Sequence, residues 1–432
     1  MAVVTRYAWR WLLAVAVAVA ACGGPATAPT SPTPKTPIEQ WTPQQLTAAC
    51  DANNFEACSQ LGRAEIDALG SKRNATDAVA RFRKACDGGY MHGCGQLGKA
   101  YALGAGVAAD APKAVELLAR ACTAHDQASC LGIAVMKVDG LGQPKDPEGA
   151  YATFVQLCDA GYAPACSDLA VMIATPGGPH SDPGHARELA KKACDTSDAD
   201  GCYFLGALMQ RGLGGGVDDA GADAAMTRAC NLGNAEACRA WGAYLAFGAQ
   251  PPRVDDGLKL LRNGCDHDDG KSCHAVAVLL HNGSGVTADV KAALQFARRG
   301  CDDGEMPACT FVGVALSEGS APDWAAATEA FKRGCRDGTD DIDNASCAFL
   351  GAVYEEGHGV AKDPDRAVKL FVRACDAGDG DSCGHLGELS ARGDDGLPRD
   401  DAKAKDYLDK GCDKGSKRAC EAVGRPPPAS TP

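Results

Sequence analysis

Apolar residues recur along this chain at helical spacing, in a unit of about 36 residues. Each unit contains a cysteine, a large apolar residue three positions later, and glycine or alanine directly after it, as in Cys94, Leu97 and Gly98. Offsets of 0, 3 and 4 share one face of an α-helix, and Tyr101 continues that face at offset 7. The pattern predicts an amphipathic helix, called helix A here, whose small residue lets a neighbouring helix approach closely. The large apolar residues are Leu61, Leu97, Ile133, Leu169, Leu205, Trp241, Val276, Val312, Leu350, Leu386 and Val423.

A second helix, helix B, is predicted to follow each helix A. Glycine-rich segments such as 102–106 and 357–360 indicate the end of helix A. Twelve residues before the next unit's first cysteine, eight units place Asp and one places Asn74, as expected of N-cap residues, and three of the aspartates precede proline. Eight residues before that cysteine, nine units have Ala and one has Gly257, again a close-packing position. The aspartates are Asp110, Asp146, Asp182, Asp218, Asp289, Asp323, Asp363 and Asp400.

The chain contains 23 cysteines, of which 22 fall into eleven neighbouring pairs. Ten pairs are eight residues apart, and the eleventh spans twelve. An even set with one outlier, Cys22, predicts disulfides plus a cysteine with a different role. The pairs are Cys50 and Cys58, Cys86 and Cys94, Cys122 and Cys130, Cys158 and Cys166, Cys194 and Cys202, Cys230 and Cys238, Cys265 and Cys273, Cys301 and Cys309, Cys335 and Cys347, Cys375 and Cys383, Cys412 and Cys420.

Residues 1–21 have the features of a secretory signal peptide, because two arginines precede an apolar run that is too short for a stable transmembrane helix. The final Val-Ala-Ala-Cys, ending at Cys22, resembles the bacterial lipobox. That resemblance implies a diacylated Cys22 as the mature N-terminus; the alternative is an ordinary cleaved signal that leaves a free thiol. Gly23 in place of aspartate after the cysteine favours the outer membrane or periplasm. The Pro- and Thr-rich segment 22–40 is then an extended tether.

Export favours disulfides over metal sites for the paired cysteines. A spacing of eight does not match zinc ligands, and the histidines fall in irregular registers, so no metal or other cofactor is predicted. Within one helix, eight residues would separate two cysteines by about 12 Å, whereas a disulfide needs Cα atoms about 5.5 Å apart. The chain must therefore turn between them, and each bridge ties the end of one helix B to the start of the next helix A. Such staples are structural, since a redox-active site would show Cys-x-x-Cys.

The segments 94–122 and 347–375 resemble Sel-one-like repeats, relatives of the tetratricopeptide unit. The cysteine pairing resembles the Helicobacter cysteine-rich protein family in particular. The resemblance covers residues 41–424, leaving a proline-rich tail at 425–432. It implies an all-α fold, a right-handed α/α superhelical solenoid of about ten disulfide-stapled helix-turn-helix repeats with a concave face. The sequence departs from the repeat pattern at two points. Arg253 stands where a cap aspartate is expected, and four extra residues lie between Cys335 and Cys347.

The charge of the chain limits its partners. Loss of two arginines with the signal peptide changes the net charge from −13 to −15, which argues against nucleic acid and against flat binding to anionic lipid. Two function classes remain. The first is a monomeric, lipid-anchored scaffold that binds a protein, a peptide or an envelope component. The second, implied only by resemblance to the cysteine-rich family, is a weak penicillin-binding protein with β-lactamase activity, although no serine has lysine three positions on.

The scaffold hypothesis predicts partner contacts on helix A, beside the apolar stripe. The position two residues after each second cysteine is polar or aromatic in most units. Phe204, Phe311, Phe349 and His385 are the predicted partner-binding residues, with packing between repeats as their alternative role. Gln60, Gln96 and Asp168, at the same position in other units, are further candidates for partner contacts.

Overall fold

The computed structural model describes residues 37–38, 41–67, 72–178, 180–318, 321–336, 343–393 and 397–428. The predicted signal peptide, Cys22 and most of the predicted tether lie outside these residues. Within the described part, Ile38 and Trp41 pack against the first core cluster around Leu46. No helix in the described part is both long and apolar enough to span a bilayer.

The described part consists of stacked helix pairs without strands, which is the repeat solenoid predicted from the sequence. It divides into two compact units, of which the first ends at Cys238 and the second begins at Arg239. The first unit contains α1 (Pro43–Asp51), α2 (Phe55–Asp67), α3 (Lys72–Asp87), α4 (Met91–Leu103), α5 (Ala111–Thr123), α6 (Gln127–Asp139), α7 (Pro147–Asp159), α8 (Ala163–Ile173), α9 (Pro183–Asp195), α10 (Ala199–Arg211), α11 (Asp219–Asn231) and the start of α12 (Ala235–Ala243).

The second unit continues after α12 with a π-helical turn, Tyr244–Gly248. Its further helices are α13 (Val254–Asp266), α14 (Gly270–Asn282), α15 (Val290–Asp302), α16 (Met306–Ser317), α17 (Trp324–Cys335), α18 (Asn344–Glu356), α19 (Pro364–Asp376), α20 (Gly380–Arg392), α21 (Asp401–Asp413) and α22 (Lys417–Val423). In both units the even-numbered helices are helix A and the odd-numbered helices are helix B.

Aspartate caps begin helix B as predicted. In all eight cases the side chain accepts a hydrogen bond from the backbone N–H three residues on, for example Gly149 N to Asp146 at 2.8 Å. Arg253 makes no such cap and instead pairs with Asp256 in the first turn of α13, at 2.8 Å. The expected cap at Asn74 is wrong, because α3 already begins at Lys72.

Close packing joins each helix A to the helix B that follows it. A Cβ added to Gly98 on α4 would lie 3.2 Å from the carbonyl oxygen of Ala114 on α5, and 2.9 Å from Leu118. Leu118 is fully buried, in a cluster that includes Leu97 and Tyr101. The small residues predicted on both helices therefore form the A–B contact, and the large apolar residues fill the space beside it.

The glycine-rich loops after helix A lie against the previous helix B. Gly104 ends α4 in the left-handed conformation, and Gly106 also has a positive φ of 69°. A Cβ on Gly106 would collide with the backbone of Ala75 in the first turn of α3, and one on Gly142 would collide with Ala111 in α5. The second glycine of this loop therefore sets the spacing between consecutive repeats.

Every predicted cysteine pair is bridged. The Cα atoms of bridged cysteines are 4.4 to 4.8 Å apart, because the chain turns between the two helices. In the Cys86–Cys94 junction, Gly89 has a φ of 86° and the N–H of Tyr90 returns to the carbonyl of Ala85 at 2.9 Å. Closing a loop of eight residues stabilises the fold by about 2.5 kcal/mol in the chain-entropy model.

At several junctions, a basic side chain of the next repeat donates a hydrogen bond to the backbone of the junction. Two residues before a first cysteine, Lys84 donates to the carbonyl oxygen of Cys50 at 2.7 Å, and Lys192 donates to that of Cys158 at 3.1 Å. Arg299 and Arg333 make the equivalent contacts at 2.8 and 2.7 Å. These cations satisfy carbonyls at the C-terminal end of the previous helix B, where the helix dipole is negative.

Candidate protein-binding face

The helix A face is defined here by the residues one, two and eight positions after each second cysteine. The four predicted partner-binding residues all lie on it, with different exposure. Phe349 is 43% exposed, whereas Phe204, Phe311 and His385 are half-buried. The same position is buried in two units, at Gln96 and Asp168, so the expectation that these side chains face a partner is wrong.

The position two residues after the second cysteine packs on the preceding helix B. The ring of Phe349 stacks on that of the buried Phe331, with centroids 5.2 Å apart and planes at 17°. His385 lies edge-on to Phe371, 4.7 Å away. These side chains therefore cover the core, as the alternative role supposed, and Phe349 does so with much of its ring still in solvent.

A second position on the helix A face was not identified from the sequence. The residue eight positions after a second cysteine reaches the next repeat, where it contacts the residue at position two. His281 of α14 lies 5.2 Å from the ring of Phe311 on α16, and Glu355 of α18 bonds His385 on α20 at 2.9 Å. In the sequence this position is marked only by a fixed offset from the second cysteine. The contact that its side chain makes depends on which helices lie side by side in the fold.

Helix A also begins with caps that the sequence reasoning missed. Four residues before the second cysteine, the side chains of Asp126, Asp198, Asp269, Asp343 and Asp379 accept hydrogen bonds from their own helix. The cap of α6 is shared with the repeat before it. One oxygen of Asp126 accepts from Ser129 N at 2.8 Å, and the other lies 2.8 Å from Nδ1 of His92 on α4.

In the first unit, the pKa values of groups at the start of helix A reflect these shared caps. Burial alone would raise the pKa of Asp126, but hydrogen bonds from His92 and Ser129 outweigh it and lower the pKa. The pKa of Tyr162 is raised to about 12 by burial and by the carboxylates of Asp126 and Asp198. His92 also lies 3.0 Å from Gln96. The arrangement joins successive repeats through polar contacts and keeps negative charge at the start of helix A.

The carboxylates of the described residues do not form a metal site. Across the described ranges, no group of three or more His, Cys, Asp or Glu residues is placed to hold a metal ion. What the face offers chemically is a row of partly covered aromatic and histidine rings in the second unit, flanked by carboxylates. Such a surface suits recognition of another chain.

Several solved structures are similar to all or part of this chain. A protective antigen present in uropathogenic Escherichia coli strains, described as displaying an SLR fold, is 19% identical; the match covers 89% of this chain and 90% of that one, with a TM-score of 0.54. A Sel1 repeat protein from Oxalobacter formigenes is 19% identical over 60% of this chain and 96% of that one, with a TM-score of 0.43. Cysteine rich protein B of Helicobacter pylori is 28% identical over 32% of this chain and 98% of that one, with a TM-score of 0.26. No curated protein sequence matches the chain.

A family model described as Sel1 repeat matches eight segments of the sequence. They are residues 55–90, 92–126, 127–162, 163–197, 199–222, 270–305, 344–379 and 380–416. Every matched segment begins within one residue of the start of a helix A, and all but 199–222, which ends inside α11, extend past the following helix B. The unmatched stretch 223–269 contains the π-helical turn and Arg253. Because these segments make up more than half of the chain, the protein belongs to the Sel1 repeat family.

Proposed function

We propose that this protein is an exported repeat scaffold, anchored to the bacterial envelope by an acylated Cys22, that binds a protein or peptide partner on its helix A face. The repeat fold supports this proposal, since stacked repeats present extended surfaces that bind other chains. Eleven disulfides support an oxidising compartment outside the cytosol. The tether at 22–40 would hold the repeats away from the membrane.

The exposed ring of Phe349 is the observation that carries the proposal. Aromatic side chains provide much of the binding energy at protein interfaces, and they do so when a partner removes them from water. Phe349 already rests on the core through Phe331, so it is held in place before a partner arrives. Little side-chain entropy would be lost on binding.

The binding proposal is tested with the mature chain carrying Cys22→Ser, purified from the periplasm and used as bait on an envelope extract. We expect it to retain a discrete partner, and Phe349→Ser to weaken retention without lowering the thermal midpoint by more than a few degrees. Leu141→Ser is the matched control, because Leu141 is equally exposed, at 44%, but lies in the loop after α6, outside the positions that define the helix A face. Equal retention by all three chains would contradict the assignment of the face.

The anchor is tested separately by fractionation. Cys22→Ser should move the protein from the membrane fraction to the soluble periplasm or the medium, and continued membrane association would contradict acylation. The same purified chain should hydrolyse β-lactams no faster than an unrelated protein with similar disulfides. Turnover that persists through purification would instead support the enzymatic function implied by the cysteine-rich family.

A further inference from the structure

The surroundings of Phe349 indicate the chemistry of its partner. In the two neighbouring junctions, the residue eight positions after the second cysteine covers the ring on the next helix A, as His281 does for Phe311 and Glu355 for His385. At the junction before Phe349 this position is Ser317, whose short side chain donates back to the carbonyl of Val314 at 2.9 Å. Among the described residues, the side chain at this offset is therefore too short to cover Phe349, which is 43% exposed.

The charges at the ends of α16 and α18 are negative, whereas Lys332 and Arg333, which follow Phe331 on α17, are paired with Glu329 and Asp302. Neither α16 nor α18 contains a lysine or an arginine. Glu318 follows Ser317 directly and is exposed, and α18 ends in Glu355 and Glu356. The chain as a whole carries a net charge of −13. An incoming cation would thus be attracted to this part of the face, and an incoming carboxylate repelled.

The chain itself shows how a cation meets an aromatic ring in this fold. The guanidinium of Arg366 lies 4.4 Å from the ring centre of Tyr354, and those of Arg262 and Arg299 each lie 5.8 Å from that of Phe296. A guanidinium is planar, so it can stack on a ring while its N–H groups pair with carboxylates at the edge. A lysine ammonium can also lie over a ring, as Lys113 does 4.7 Å from the ring centre of Tyr101, but it cannot stack in a plane.

We propose that the partner docks an arginine side chain on the exposed part of the Phe349 ring, with its guanidinium facing the carboxylates of Glu318 and α18. This inference rests on the proposed function and names the partner chemistry at the same face: a cationic, arginine-bearing segment of another protein. A purely apolar segment would gain binding free energy from contact with the ring alone, and none from the surrounding carboxylates.

The test measures fluorescence anisotropy of the Cys22→Ser chain with labelled decapeptides of alternating glycine and arginine, lysine, citrulline or leucine. We expect the arginine peptide to bind more tightly than the other three at physiological salt. Phe349→Ala should weaken binding of the arginine peptide roughly two- to fivefold and weaken that of the lysine peptide by less. Phe349→Leu, which keeps an apolar side chain, should show the same loss, whereas Leu141→Ala should show none.

Two results would overturn this inference. Equal binding of the arginine and lysine peptides, unaffected by Phe349→Ala, would exclude stacking on the ring. Phe349-dependent binding of the leucine peptide alone would show an apolar partner; it would reject the arginine and leave the proposed scaffold function standing. If Phe349→Ser also has no effect on retention from the envelope extract, the proposed function itself fails.

Discussion

Gly242 on α12 and Gly257 on α13 face each other at a close helix A to helix B contact of the second unit. A Cβ on Gly242 would lie 2.9 Å from the carbonyl oxygen of Gly257, and a Cβ on Gly257 would lie 2.5 Å from that of Gly242. Nine other repeats have alanine at the position of Gly257. The backbones of α12 and α13 thus lie closer together at this pair than the repeat pattern requires. The pair lies next to the π-helical turn that replaces the usual glycine-rich loop.

Gly257→Ala is therefore expected to destabilise the second unit, although alanine is the residue that the repeat pattern favours. The gain in helix propensity is about 1 kcal/mol, but overpacking costs about 1 to 3 kcal/mol. The added methyl would meet backbone atoms of Gly242 and Ala246, which cannot move aside as a side chain can. Thermal unfolding with the disulfides intact measures the effect. Gly216→Ala, where a Cβ meets nothing within 4 Å, is the control, and a stabilised Gly257→Ala would show that the contact is looser than described.

The basic ties between repeats allow a comparison of two adjacent lysines on α9. Lys192 donates to the carbonyl of Cys158 in the previous junction, whereas Lys191 pairs with the exposed Asp195 at 2.6 Å. Lys192→Met should lower the free energy of unfolding by about 1 kcal/mol and speed amide exchange at the end of α7. Lys191→Met should change it by less than about 0.5 kcal/mol, as is usual for exposed ion pairs. Equal effects would contradict a specific role for Lys192.

Much of this architecture could be predicted because it depends on local chemistry. An aspartate cap, a glycine C-cap and a short disulfide loop each act over fewer than a dozen residues, so their sequence signals are direct. Asn74 shows the limit of that reasoning: it has the chemistry of a cap, but α3 begins at Lys72.

The binding face could be predicted only in part, because its exposure depends on contacts between repeats. Gln96 and Phe349 share one position, yet the first is buried and the second is 43% exposed. Gln96 contacts His92 of its own helix, and His92 is in turn held by Asp126, which lies 34 residues further along the chain. The lysine ties to Cys50 and Cys158 were missed for the same reason, since each joins residues 34 positions apart.

The turn between bridged cysteines contains a position where glycine is expected to be better than the residue present. This position lies three residues after the first cysteine of a bridged pair. Gly161 has a φ of 86° there and His125 has a φ of 64°, both in the left-handed region. His125→Gly should stabilise the protein by about 0.5 to 1 kcal/mol because it removes backbone strain, whereas Gly161→Ala should destabilise it by about 1 kcal/mol. A Cβ at Gly161 meets nothing within 4 Å, so the loss would be purely conformational. Urea unfolding of both variants measures the two shifts, and shifts of the same sign would contradict the explanation.

Stability is expected to depend on pH through Asp303, whose carboxyl lies beside the Cys265–Cys273 bridge with Oδ2 3.9 Å from Sγ of Cys273. Partial burial and the nearby carboxylates of Asp268, Asp302 and Asp269 raise the pKa of Asp303 to about 6, from the usual 3.8. The folded chain thus keeps a proton that the unfolded chain has already released. The contribution of this group to stability is therefore full below about pH 4 and is lost as the pH rises through about 6.

Asp303→Asn should accordingly match the natural chain in unfolding midpoint near pH 4 and exceed it at pH 7, because the variant has no charge to acquire. Carboxyl ¹³C resonances give a second measurement. The signal of Asp303 should titrate near pH 6, and its midpoint should fall in Asp268→Asn, which removes the nearby negative charge that raises it most. A midpoint near pH 4 in the natural chain, with no gain in stability for Asp303→Asn at pH 7, would show that the carboxyl is fully solvated and that its acidic neighbours are too well screened to matter.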